Sequence, residues 1–210
     1  MGSLAWLATA QDDDGAEISR ARLRGLSRGH VVEGASDTSL LQAIGEGNVD
    51  AFERLHARYA NSLYQFALRY TGDPAQSADI VQDTFVRFWQ QRATVRPHTS
   101  LRAYLFQSVR NAALNAIRDG RRRDWLSHDP AFVAGEQDST VTTDAALEAE
   151  EERARVIAAV RTLPPRTREA IVLRWAHGLS YAEIAVAMGV SVETVKSQLA
   201  RGLALLREKL

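Results

Sequence analysis

The amino-acid sequence predicts an all-α protein, with two helical domains joined by a flexible linker. Three observations carry that reading. Apolar residues recur at steps of three or four through several long segments, and residues 38–123 lack the alternation of half-buried strands. Gly72, Asp73, Pro74, Pro164 and Pro165 stand where periodic runs stop and start. Charge is sorted into blocks although the chain as a whole is neutral. Residues 1–50 carry 4 basic and 8 acidic side chains, 51–123 carry 12 and 5, 124–155 carry 2 and 9, and 156–210 carry 8 and 4. Two basic bodies flanking an acidic connector suggest two modules that face nucleic acid.

Composition sets outer limits. At 45% hydrophobic and 25% charged residues the 210-residue chain has globular composition. It contains no cysteine, which removes disulfides and thiolate metal sites and fits a reducing compartment, the cytoplasm. No run approaches the roughly 18 apolar residues of a membrane span, so no membrane insertion is expected. The first ten residues lack the basic start and the long apolar run of a signal segment. His30, His56, His98, His128 and His177 show no ligand spacing and no glycine-rich phosphate loop occurs, so neither an enzyme nor a cofactor is predicted.

Residues 1–37 show no sustained period and read as a weakly ordered extension. A short helix around Leu40, Leu41 and Ile44 opens a helical bundle spanning 38–123. The next helix carries Phe52, Leu55, Tyr59, Leu63, Phe66 and Tyr70, with Asp50 and Glu53 as a capping box and Gly72 as its stop. Asp73 and Pro74 open another, with Ala78, Val81, Phe85 and Phe88 as its buried stripe. A third long helix runs from Thr99 or Ser100 to about Arg121, its apolar side Leu105, Val109, Ala113 and Ala116. Residues 124–143 break all periodicity and form the acidic linker. The second domain, 144–210, resumes with Leu147, Ala154, Ile157, Val160 and Leu163, breaks at the two prolines, and restarts with Ile171, Val172 and Trp175.

Its end is the most informative part of the chain. Ser180 with Glu183 opens a two-turn helix, Gly189 suits a tight turn, and Ser191 caps a longer helix. That helix buries Val195, Leu199, Leu203, Leu206 and Leu210, leaving Lys196, Ser197 and Arg201 on its exposed side and flank. A capped short helix, a glycine turn and a capped longer helix, in that order, describe a DNA-reading helix-turn-helix. In the bundle, Asn111, Asn115, Arg118 and Arg122 line one stripe, amides beside guanidinium groups as suits base edges beside phosphates, and Arg121 to Arg123 extend the charge. Asp79, Gln82, Asp83, Arg87 and Gln90, bordered by Phe85, Phe88 and Trp89, form a candidate protein-binding face.

Three separated segments, ADIVQDTFVRFW (78–89), LRAYLFQSVRN (101–111) and the run from Leu163 to Leu210, together resemble the extracytoplasmic function (ECF) group of the sigma-70 family. These are the specificity subunits of bacterial RNA polymerase. The resemblance covers residues 40–210 and implies that the bundle is sigma region 2 and the C-terminal domain region 4, without a region 3 domain. It implies a non-enzymatic initiation factor that binds core polymerase and promoter DNA, with an anti-sigma protein as its regulator. Asp79, Gln82, Asp83, Phe85 and Arg87 match the segment that binds the clamp helices of the largest polymerase subunit. Region 4 in such proteins meets the flap of the second largest. Asn111 and Asn115 match readers of the unpaired −10 strand, with Arg118 and Arg121, Arg122 and Arg123 near its phosphates. Lys196, Ser197 and Arg201 match −35 readers, and Arg174 matches a further DNA contact. Ala78, Lys196 and Gln198 depart from the family's frequent residues, and residues 1–37 have no counterpart. A stand-alone helix-turn-helix regulator is the main competing reading; it predicts a receiver or ligand domain where the bundle lies.

Overall fold

A computed structural model describes residues 36–97, 99–118 and 144–210, the side chains of 144–150 excepted. Among the described residues there are eight helices: α1 (Asp37–Gly45), α2 (Val49–Thr71), α3 (Pro74–Gln90), α4 (Leu101–Arg118), α5 (Asp144–Arg161), α6 (Pro165–Trp175), α7 (Tyr181–Met188) and α8 (Val192–Arg207). Residues 1–35 and 119–143, which hold most of the expected extension and the whole expected linker, lie outside the described residues. The chain divides into two compact units. One contains α1 to α4 and residues 182–190; the other contains α5, α6 and α8 with their connections.

Local chemistry explains the helix ends. Asn48 caps α2 by accepting from the Ala51 backbone N–H at 2.9 Å, so the expected box of Asp50 and Glu53 is displaced by a cap two residues upstream. Gly72 closes α2 in the left-handed conformation (φ 62°), which costs a residue without Cβ least. Asp73 then caps α3, accepting from Ala75 and Gln76, while Pro74 occupies the first turn, where its missing N–H costs nothing.

The core of the first unit is built on α2, whose Leu55, Leu63 and Phe66 are almost completely buried, against Phe88 of α3 and Leu105, Phe106 and Val109 of α4. The Phe66 and Phe106 rings meet edge-on at 5.1 Å. Each fully buried side chain of this size contributes about 1.5–3 kcal/mol relative to exposure. The buried stripe of α3 is rotated from the sequence expectation: Ala78 is exposed, and Ser77 is completely buried in its place. Ser77 is accommodated because its hydroxyl donates to the Asp73 carbonyl at 2.7 Å and pairs with the Thr71 hydroxyl at 2.6 Å.

Asp37, expected to end the extension, is instead the first residue of α1. Its carboxylate receives the Arg58 guanidinium at 2.7 Å and the Tyr59 hydroxyl, stapling α1 to α2. Burial, and then the hydrogen bond to Asp37, push the Tyr59 phenol well above its ordinary range.

In the second unit, Pro164 and Pro165 separate α5 from α6, and Ile171 and Leu173 of α6 are buried along with Leu199 and Leu206 of α8. α6 and α8 approach closely at Gly202, where a Cβ would lie 2.8 Å from Ile171 Cγ1 and 2.9 Å from Thr167 Cγ2.

Candidate nucleic-acid interface

The C-terminal reader is assembled by local geometry. α7 ends at Gly189 (φ 67°), whose N–H reaches the Val186 carbonyl at 3.2 Å, and the Val190 N–H reaches Ala185 at 3.0 Å. The left-handed glycine turns the chain sharply, and Ser191 starts α8 by accepting from the Thr194 N–H at 3.1 Å. Val195, Leu199, Leu203 and Leu206 are buried as the spacing predicts, and Leu210 stands half-exposed beyond the helix end. Lys196, Ser197, Arg201 and Ala204 are all exposed. Short or flexible polar side chains along the first three turns of an exposed helix face meet the requirement for reaching base edges and phosphates in a major groove.

Arg174 is engaged within the protein. Its guanidinium donates to the Leu179 carbonyl at 3.0 Å and lies 5.0 Å from the centre of the Tyr181 ring, which ties the end of α6 to the start of α7. Gln198 likewise has an internal partner: its Oε1 accepts from the buried Thr167 hydroxyl at 2.6 Å.

The α4 stripe is also exposed at Asn111, Asn115 and Arg118. Arg121, Arg122 and Arg123 lie outside the described residues. The two aromatics on α4 separate: Phe106 is core, whereas Tyr104 is only half-buried, its ring tilted against Phe88 with centres 6.1 Å apart. Tyr104 precedes Asn111 by seven residues, or two turns, and therefore shares its face. An aromatic ring gives no spacing cue that distinguishes a half-covered position from a buried one, so the sequence alone does not separate Tyr104 from Phe106.

On α3, Asp79, Gln82, Asp83, Arg87 and Gln90 are exposed together, around Val86 at 45% exposure. A single exposed apolar side chain is ordinary on a protein surface and by itself marks no interface; the polar residues around Val86 are what define this face. The sequence reading missed the exposure of Val86, since one valine among polar residues forms no period. Phe85 is core, as the buried stripe of α3 predicts: at 2% exposure it is packed edge-on to Phe52 at 6.0 Å and against the His56 ring at 4.7 Å. It supports the stripe from behind and does not form part of its surface. At the helix end Arg92 stacks 4.5 Å above the Trp89 ring and donates to the Trp89 carbonyl, and so shields that indole.

Comparison with known proteins decides the family. The description Sigma-70 region 2 matches residues 55–123, and Sigma-70, region 4 matches residues 153–206. The ECF RNA polymerase sigma factor SigL of Mycobacterium tuberculosis is 34% identical over 149 residues, spanning 69% of this chain and 80% of SigL. The chain belongs to the ECF sigma factors of the sigma-70 family. The RNA polymerase sigma factor CarQ of Myxococcus xanthus is 30% identical over 171 residues, covering 81% of this chain and 95% of CarQ. Among solved structures, CnrH in complex with the cytosolic domain of CnrY matches with a TM-score of 0.57 at 30% identity, covering 82% of this chain and 95% of that one. The sigma factor RpoE of Bartonella quintana, in complex with the anti-sigma factor NepR, gives 0.53 at 26% identity over 75% and 94%. This ECF sigma factor is thus a promoter-directing transcription initiation factor of bacterial RNA polymerase and not an enzyme. Among its described residues, no helix is long and apolar enough to cross a membrane.

Proposed function

We propose that this ECF sigma factor divides promoter recognition between its two polar stripes. In this reading α8 lies in the major groove of the −35 element, with Lys196, Ser197 and Arg201 as readers. Arg174 is a further DNA contact at the end of α6, its guanidinium held beside the Leu179 carbonyl and the Tyr181 ring. The α4 face then captures the unpaired −10 strand: the amides of Asn111 and Asn115 read base edges, Tyr104 offers a ring for stacking, and Arg118 with Arg121 to Arg123 neutralises phosphates. Base stacking on an aromatic ring contributes about 1–3 kcal/mol, enough to offset the few kcal/mol spent in unstacking a base. The α3 stripe, Asp79, Gln82, Asp83, Val86 and Arg87, is the core polymerase surface, presented to the clamp helices of the largest subunit. Region 4 meets the flap of the second largest. The chain works in the cytoplasm and is held in check by an anti-sigma protein, a reading supported by its likeness to RpoE, a sigma factor solved in complex with the anti-sigma factor NepR.

The observation that carries this reading is the joint exposure of Asn111 and Asn115 in the region 2 match and of Ser197 and Arg201 in the region 4 match. Footprinting tests it: specific protection of both promoter elements is expected only when the chain is added together with core polymerase. Equal protection by the chain alone would instead favour a stand-alone helix-turn-helix regulator.

A further inference from the structure

Thr167 of α6 makes two contacts with α8, one helical turn apart. Its hydroxyl, on a residue 1% exposed, donates to Gln198 Oε1 at 2.6 Å. Its methyl group closes against Gly202, where a Cβ would come within 2.9 Å of Thr167 Cγ2 and 2.8 Å of Ile171 Cγ1. The first contact has a narrow geometry, because a buried hydroxyl left without a partner is costly and an amide satisfies it only over a few tenths of an ångström. The second is steric and works only because residue 202 has no side chain.

Together they constrain what the apolar stripe of α8 alone would leave loose. Val195, Leu199, Leu203 and Leu206 hold the helix against its domain by contacts that tolerate a small roll or slide, since dispersion is non-directional. A roll of about 20° moves atoms at the ~5–6 Å side-chain radius of a helix by about 2 Å, more than a hydrogen bond to a base edge survives. Ser197 directly precedes Gln198, and Arg201 follows it by three residues. The peg at Gln198 and the seat at Gly202 bracket Arg201.

We propose that Gln198 is a positioning residue for promoter specificity: pinned by the Thr167 hydroxyl, it fixes the roll of α8 and so the aim of Ser197 and Arg201. The inference rests on the reading of α8 as the −35 helix. It accounts for a polar, half-buried residue on the flank of the recognition helix whose carbonyl end is turned toward the protein.

The test uses the full chain with core polymerase and a duplex promoter library, randomised across the −35 element beside a fixed −10 element. Thr167→Val removes the hydroxyl at nearly constant shape; Thr167→Ser keeps it. Thr167→Val is expected to lower the enrichment of preferred over random −35 sequences by about tenfold, the scale of one well-aimed base contact. Its thermal midpoint and its discrimination at a second library randomised across −10 stay at wild-type values. Thr167→Ser, which keeps the hydroxyl and gives up only the methyl at the Gly202 seat, restores most of the −35 selection, and Gln198→Met added to Thr167→Val causes no further loss. Unchanged selection by Thr167→Val overturns the proposal, as does loss that Thr167→Ser fails to restore or that affects all sequences equally. A wild-type chain that enriches no −35 sequence overturns the underlying promoter reading instead, which is a distinguishable failure.

Discussion

Arg201 is exposed on the outer side of α8, nearly three turns beyond its cap at Ser191. A guanidinium there can grip guanine with two hydrogen bonds, so Arg201→Ala is expected to weaken holoenzyme binding to a cognate promoter by about 1–3 kcal/mol. Competition binding at constant salt measures it, and undiminished affinity would remove Arg201 from the reading surface. Gly202, its neighbour, acts inward. In Gly202→Ala the new methyl meets Ile171 and Thr167 at under 3 Å, both buried, so one helix must shift. Overpacking of this kind costs about 1–3 kcal/mol, against a gain of about 1 kcal/mol from alanine's better helix propensity. A lowered thermal midpoint is therefore expected, and an unchanged or raised midpoint would show that α6 and α8 part more easily than their packing implies.

α4 joins two tasks in one helix: Leu105, Phe106 and Val109 anchor it in the bundle while Asn111 and Asn115 face out. Replacing both asparagines with alanine leaves the buried side untouched, so duplex binding is expected to survive while open-complex formation falls. Permanganate reactivity of promoter thymines reads the difference, and full melting by the double variant would contradict strand capture by this face. Most of the helix pattern was legible in the sequence because buried apolar residues repeat with the helical period and because Gly72, Asp73, Pro74, Pro164, Pro165, Gly189 and Ser191 are strong punctuation. What spacing does not carry depends on tertiary partners. Ser77 takes a core position from Ala78 only because Thr71 and Asp73 satisfy its hydroxyl. The inward engagement of Arg174 and Gln198 has no trace in spacing, since it depends on Leu179, Tyr181 and Thr167.

Net neutrality of the whole chain conceals an arrangement by blocks: basic side chains gather in 51–123 and 156–210, and acidic ones in 124–155. Such sorting lets two bodies meet DNA while the segment between them is repelled by it. Both family matches fall within the basic blocks or overlap them, and the structure exposes polar side chains in each. The central claim is that these two bodies act jointly through polymerase to start transcription. Promoter-dependent run-off transcription with purified core polymerase tests it most directly. Addition of the chain is expected to yield a discrete transcript that core polymerase alone does not make, and that disappears when either promoter element is scrambled. Transcription no greater or more specific than that of core polymerase alone would contradict the account.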